Sequence, residues 1–445
     1  MEAFLKGRKR KLDTASASVQ DEDDQEPTDV KLAMLSSLHP NFSQEALLEA
    51  LLAHDGSVKA AAASLAEAVP SSAKRSQFGT VVGSQTSLKL FASRTTEQST
   101  SPKKAKILSK KGATLHLYDP DDIADNTPCS IVHNFLPPEI ANDLLKEMLH
   151  ESTSFEKITF KLFDNVVSSP HTSTFYVETD LELHNQKYEY FYNGAKLTDV
   201  RKITPQLLRV KPLIQQGVNK EIEKRIKTKY PDGKKLPFQS PDPWKPNAAF
   251  ANCYTGPQEN VGYHSDQLTY LGPRAVIGSL SLGVAREFRV RRVVPKASDD
   301  NSKEKENADA EGQIAIHLPH NSLLVMHAEM QEEWKHSIAP AQAIDPHPIA
   351  GSRRINITYR DYKPSLHPKF TPRCKCGIPA VLKVVQKRKE NWGKYFWMCH
   401  RGYVPEKENC SFFQWAEFDD DGNPSWDKAR YKKGSSTKTQ GSVSP

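Results

Sequence analysis

Cysteine is scarce in this chain, six residues among 445, and too few for a disulfide framework. Four of the six, Cys374, Cys376, Cys399 and Cys410, crowd into the last quarter, a distribution that points to a metal rather than to disulfides. Long apolar runs are missing too: none reaches the roughly 18 residues a membrane-crossing helix needs, so no membrane role is expected. The opening stretch MEAFLKGRKRKLD has no apolar secretion core, and a soluble intracellular chain is the expectation. Its basic cluster Lys6–Lys11 reads either as a nuclear-import tag, hence a nuclear location, or as a solvated charge run.

What is present divides the chain by composition. Residues 1–27 are charged and Ser-rich, and 70–113 are rich in Ser, Thr, Gln and Lys; both read as disordered. Between them, residues 28–69 place leucines at helical spacing: Leu32, Leu35 and Leu38, then Leu47, Leu48, Leu51 and Leu52, then Val58 and Leu65. Ser43 and Ser57 stand where N-caps belong and Gly56 where a helix stops, which predicts three short helices. The segment resembles a CUE-type ubiquitin-binding domain through the corner Leu38-His39-Pro40 and the stretch DGSVKAAAASL. That resemblance implies ubiquitin or a ubiquitinated protein as a partner. In the linker, Gln85, Leu88 and Phe91 have the spacing of a peptide that binds the replication sliding clamp, a further candidate partner.

Residues 114–368 begin with two helical stretches, PPEIANDLLKEMLHE and TPQLLRVKPLIQQGVNKEIEKRIKTKY. Many short apolar strands follow, among them AAFANCYTG, VIGSLSLG, EFRVRRVV and RRINITYRDY. Helices first and strands afterwards predict an α+β domain, a jelly-roll double sheet backed by helices. The polar run 295–312 reads as a surface insertion.

Within this domain GYHSDQL puts His264 and Asp266 two positions apart, on one face of an extended segment, where they could share a metal. Such a pair also occurs as plain loop polarity, so a third ligand is needed, and His336 in WKHSIAP is a candidate. A 2-His-1-carboxylate set leaves coordination positions free and suits Fe(II). In RINITYR, Arg354, Asn356, Thr358 and Arg360 share one strand face; were it buried, its guanidinium groups would need an anion such as a dicarboxylate. Asn252 and Tyr254 share a face in FANCYTG.

Taken together, Asn252-x-Tyr254, His264-x-Asp266, His336 and the Arg354, Arg360 pair resemble the AlkB family of Fe(II)/2-oxoglutarate dioxygenases, especially its DNA-repair members. The resemblance implies a double-stranded β-helix core. His264, Asp266 and His336 would hold Fe(II), with Asn252, Tyr254, Arg354 and Arg360 around 2-oxoglutarate. It also implies oxidative demethylation of alkylated bases. Gln267 would meet the base, and Phe163, an aromatic on an otherwise polar strand face, resembles the finger that fills the stack when a base is extruded.

Residues 369–420 resemble a GRF-type zinc finger, with Gly393-Lys394-Tyr395 and CSFFQW carrying the match and Zn(II) implied on Cys374, Cys376, Cys399 and Cys410. Between 371 and 401 there are eight Lys or Arg and one acid, Glu390, with Trp392, Tyr395 and Trp397 interleaved. Cations for phosphates and rings for bases suit single-stranded nucleic acid, and Phe396 and Phe412 are expected to pack around zinc. The tail 421–445 reads as disordered. Two functions compete: a nucleic-acid dealkylase whose finger is a separable recruiting module, and a protein-modifying 2-oxoglutarate oxygenase brought to ubiquitinated chromatin proteins.

Overall fold

A computed structural model describes residues 31–32, 34–35, 38–39, 42, 44–54, 57–67 and 114–432, the last range without 163–164, 193–195, 198, 296–311 and 402–409. The cluster Lys6–Lys11, the linker 70–113 with its clamp-like peptide, Phe163 and nearly all of the insertion lie outside the described residues. In the amino-terminal region two helices are described, Gln44–Ala53 and Val58–Glu67, while the first of the three expected is described only in part. Leu35, Leu47, Leu51, Val58 and Leu65 bury one apolar stripe per helix against one another. The Ser57 hydroxyl accepts from the Ala60 amide at 3.3 Å, capping the second helix.

The large domain opens with β1 (Thr114–Leu117), β2 (Cys129–Val132), β3 (Thr159–Leu162), β4 (Asn165–Ser168), β5 (Thr172–Val177) and β6 (Val200–Lys202). It continues with β7 (Ala248–Thr255), β8 (Val261–His264), β9 (Ile277–Gly283), β10 (Arg286–Arg292) and β11 (Gln313–Leu318). β12 (Ser322–Met326), β13 (Trp334–Ile338) and β14 (Arg353–Arg360) complete it. A seven-stranded sheet runs β2-β12-β9-β14-β7-β5-β6 and a five-stranded sheet β1-β11-β10-β13-β8, while β3 and β4 form a separate hairpin.

Alternation along the strands decides what each face meets. Ile355, Ile357 and Tyr359 of β14, with Leu280 and Leu282 of β9, pack on the helices Pro138–Glu151 and Pro205–Lys229. Those helices bury matching stripes, Leu144, Leu145 and Met148 on the first and Leu207, Val210, Ile214 and Val218 on the second. The opposite faces supply Phe175, Tyr254 and Ile277 to a second core shared with Phe288, Val290, Ile316 and Ile338 of the five-stranded sheet. Two mixed sheets backed by helices on one side agree with a jelly-roll oxygenase core.

The carboxy-terminal module has β15 (Val381–Val384), β16 (Tyr395–Met398) and β17 (Phe413–Trp415) in one sheet. It is docked, not tethered. Leu382 and Trp397 are fully buried in the same core as Ile277 and Phe288. Residues 421–432, expected to be a disordered tail, are folded onto the large domain as well. The Trp426 indole donates to the Ser365 carbonyl at 2.8 Å, and Arg430 pairs with Asp242.

Candidate active site

β13 runs antiparallel to β8 with His336 directly opposite His264, so cross-strand pairing sets two imidazoles side by side, ring centroids 4.3 Å apart. Asp266 follows β8 by two residues, and one atom each from His264, Asp266 and His336 lie within 4.8 Å of one another. Asp266 Oδ1 is 3.7 Å from His264 Nε2 and 3.3 Å from His336 Nε2. His264 Nδ1 lies 2.8 Å from the Gly262 carbonyl, which assigns the proton to Nδ1 and leaves Nε2 for a metal. Desolvation and then the His336 ring push His264 down to about 4, so its imidazole is neutral at pH 7. Burial acts to raise the Asp266 carboxyl, but Arg360 and His336 hold it well below the usual carboxylate range. Two imidazoles and one carboxylate, gathered at one end of the double sheet, are a donor set that could hold Fe(II).

The polar face of β14 adjoins the cluster, since its Arg360 pairs with Asp266. Arg354 stands opposite Tyr254 of β7, and Asn356 opposite Asn252 of β7 and Ser281 of β9. Arg354 is 1 % exposed, and its Nη2 donates to Ser281 Oγ and Asn356 Oδ1, each at 2.9 Å. Its Nε and Nη1 have no partner, nor does Asn252 Oδ1, and among the described residues no carboxylate pairs with Arg354. Burial pushes this guanidinium down to about 10, with Tyr254 opposing. A cation held in that way costs several kcal/mol unless an anion meets it, so this strand face calls for an acidic ligand.

Arg360 departs from the sequence expectation. Its Nη2 and Nε donate to Asp266 Oδ2 at 2.6 and 3.2 Å, so it fixes the carboxylate of the metal cluster and is not grouped with Arg354. The reason is distance: six residues along β14 carry it about 20 Å away, to the other end of the strand. Gln267 donates to Thr269 Oγ1 at 3.0 Å, and Phe163 lies outside the described residues.

With the three-ligand cluster and the unpaired buried guanidinium established, the match of the 2OG-Fe(II) oxygenase superfamily to residues 128–360, more than half of the chain, accounts for both. The chain belongs to that superfamily. Membership implies Fe(II) and 2-oxoglutarate as cofactors, and the three-ligand cluster and the buried guanidinium are donors that fit them. The GRF zinc finger matches residues 372–419 and accounts for the cysteines as a zinc site. The chain is 31% identical over 127 residues to alpha-ketoglutarate-dependent dioxygenase alkB homolog 3 of Mus musculus, covering 28% of this chain and 40% of that protein. It is 32% identical over 126 residues to DNA oxidative demethylase ALKBH2 of Arabidopsis thaliana, covering 26% of this chain and 37% of that one. The chain thus spans about two fifths of the length of these curated relatives. The solved structure of OsALKBH1 covers 53% of this chain and 98% of its own at 14% identity, with a TM-score of 0.36, too low to carry weight.

In the finger, Cys374 Sγ lies 2.9 Å from Cys376 Sγ and 3.0 Å from Cys410 Sγ, and Cys376 Sγ is 3.5 Å from Cys399 Sγ. The aromatic assignment needs correction. Alternation along β16 turns Tyr395 and Trp397 into the oxygenase core, so neither is a stacking surface; Trp392, Phe413 and Trp415 are exposed instead. Phe396 stacks on Phe413 with centroids 5.2 Å apart.

Several residues of the site carried no signal in the sequence. His171, on the turn before β5, stacks on Tyr254 at 4.7 Å. Gln331 accepts from the Asp266 amide at 2.6 Å, and Gln386 of the finger donates to the carbonyls of Gln331 and Glu332 at 3.0 and 3.1 Å. Isolated glutamines have no spacing to betray them. The EMQEEW run ahead of His336 was the nearest clue.

Proposed function

We propose that this oxygenase removes methyl groups oxidatively from alkylated bases in nucleic acid, acting in DNA alkylation repair in the nucleus. His264, Asp266 and His336 hold the iron in this reading, and Arg354, with Asn252 and Tyr254, holds 2-oxoglutarate. The observation that carries it is the buried Arg354, whose free Nε and Nη1 call for a carboxylate beside a three-ligand cluster. The names of the two relatives, an alkB homolog and a DNA oxidative demethylase, support the substrate class. The charge of the finger supports it too, with eight Lys or Arg against one acid between 371 and 401. The cluster Lys6–Lys11 supports the nuclear location.

When bound, Fe(II) with 2-oxoglutarate and dioxygen would supply an oxidation in which 2-oxoglutarate becomes succinate and carbon dioxide, one oxygen atom ending in succinate and the other hydroxylating a methyl group, which would leave the base nitrogen as formaldehyde. The protein's own part is placement. Arg360 orients the Asp266 carboxylate, Gly262 fixes the His264 tautomer, and Arg354, 1 % exposed, would meet the diacid out of contact with bulk water. Phe163 would fill the stack left by an extruded base and Gln267 would meet its edge.

The test is to incubate the full chain with Fe(II), 2-oxoglutarate and methylated oligonucleotides and to weigh the oligonucleotides by mass spectrometry. Loss of a methyl mass is expected. Asp266→Ala should abolish both that loss and succinate formation while the far-ultraviolet circular dichroism is unchanged. Succinate formed with methylated peptides but never with oligonucleotides would favour the protein-modifying oxygenase instead.

A further inference from the structure

The outer face of the five-stranded sheet carries a second cluster of metal-binding side chains, away from both the iron-type site and the finger. His116 comes from the edge strand β1, Glu287 from β10 and His317 from β11. Register puts them on one face, since Glu287 lies opposite His317 and His116 lies opposite Ala315, two residues away on the same strand. His116 Nδ1 is 3.0 Å from His317 Nε2 and 3.7 Å from Glu287 Oε1, and one atom from each residue lies within 4.8 Å of the others.

Those separations bracket the spacing of neighbouring ligands around a tetrahedral ion. Bonds of about 2.1 Å put two such ligand atoms about 3.4 Å apart. The supporting groups are arranged as a metal site requires. Arg289 takes Glu287 Oε2 through Nε and Nη2 at 2.9 and 2.8 Å, which leaves Oε1 facing the imidazoles. Tyr118 stacks on His317 with centroids 4.2 Å apart and planes within 11°, holding that ring in place. The His116 side chain is 42 % exposed, so an ion can enter from solvent and keep water in its remaining position.

We propose that His116, Glu287 and His317 form a surface site for a divalent first-row transition metal of the zinc class, which ties β1 to β10 and β11. Imidazole nitrogen with a single carboxylate oxygen selects such ions over Ca(II) or Mg(II), which take oxygen ligands. Among the described residues β1 is an edge strand paired on one side only, to β11, so a metal bridge from it to two strands restrains the place where the chain enters the domain. This assignment is independent of the reading of the iron-type site.

Isothermal titration of the full-length protein, its finger zinc intact, with Zn(II) tests the proposal against His317→Ala and His116→Ala. Neither residue belongs to the iron-type cluster or to the finger, and His116 is exposed enough that its replacement leaves packing intact. The wild type should bind one equivalent more than either variant. Zinc should raise the melting temperature of the wild type more than that of the variants. Equal stoichiometry in all three proteins, together with an equal response of the melting temperature, would mean that the two histidines share a hydrogen bond and no metal, and would overturn the assignment.

Discussion

At the scale of single residues, Arg354 and Glu332 are two buried ionisable groups with opposite consequences. Arg354 keeps two donor nitrogens free, so its charge is useful only once a ligand carboxylate arrives. Arg354→Ala removes a charge-assisted pair worth about 2–3 kcal/mol. The 2-oxoglutarate KM should therefore rise about 30- to 150-fold, with the fold intact by circular dichroism. An unchanged KM would detach this arginine from the cosubstrate. Glu332 accepts from the Arg274 amide at 2.7 Å and the Tyr395 hydroxyl at 3.0 Å through Oε1, while Oε2 has no partner. Burial outweighs the pull of Arg274 and pushes its carboxyl up from 4.5 to about 7. The folded state thus binds the proton more tightly than the unfolded one. The stabilisation is complete below pH 4.5 and is lost as pH rises through about 7, a decline on the order of 3 kcal/mol. Glu332→Gln cannot ionise, so urea unfolding at pH 5 and pH 8 should show that decline in the wild type and not in the variant. Sequence reading reached Arg354 because alternation in RINITYR set its face. It did not reach the pairing of Arg360 with Asp266, because a period of two gives the face and says nothing of which end of the strand meets the metal cluster.

At the scale of elements, helices and strands were legible where a single periodicity governs them. The two long helices show apolar residues three and four apart, and β14 alternates, so both kinds could be read before any contact was known. β9 is buried along its whole length, from Ile277 to Gly283, because a central strand has a packed neighbour on each face, and its glycines record how close those neighbours come. A Cβ added at Gly278 would sit 2.8 Å from Val218 Cγ2 on the helix Pro205–Lys229 and 3.4 Å from the Trp244 ring. Val218 is β-branched and fully buried, so it has no rotamer to retreat into. Overpacking of that kind costs about 1–3 kcal/mol, more than the 0.4–1 kcal/mol or so that alanine recovers from the unfolded chain. Gly278→Ala should therefore lower the midpoint of urea unfolding, and a raised midpoint would mean that the helix can move away from the sheet. The faces of β16 were not legible, since Tyr395-Phe396-Trp397 is aromatic on both sides and only the docked partner decides which ring is covered.

At the scale of the whole molecule, the finger is part of the oxygenase. Composition predicts a basic module that could be removed without loss of chemistry, because a single sequence shows the charge of a surface and not the apolar area hidden beneath it. The Leu382 amide donates to Thr269 Oγ1 at 3.2 Å, three residues beyond Asp266, and Gln386 reaches Ser265 Oγ at 3.4 Å, between His264 and Asp266. Gln386 also holds the carbonyl of Gln331, whose side chain holds the Asp266 amide. On the other flank the Phe238 amide donates to the Asp420 carbonyl at 2.8 Å. Deleting residues 371–445 would uncover the partners of Leu382 and Trp397, each buried side chain contributing about 1.5–3 kcal/mol. It would also leave the loop that carries Asp266 without its outer support. The truncated protein should melt several degrees lower and, without any nucleic acid, convert 2-oxoglutarate to succinate more slowly than the full chain. Gln386→Ala, which leaves the apolar dock in place, should slow succinate formation with a smaller change in melting temperature. Cys399→Ser should resemble the deletion, because a small zinc module that loses its metal loses its fold and with it the surface that docks. Nucleic-acid binding should weaken and depend less steeply on salt in both the truncated and the Cys399→Ser proteins. A truncated protein that keeps the melting temperature and succinate rate of the full chain would show that the oxygenase core closes without the finger, and that the finger serves recruitment alone.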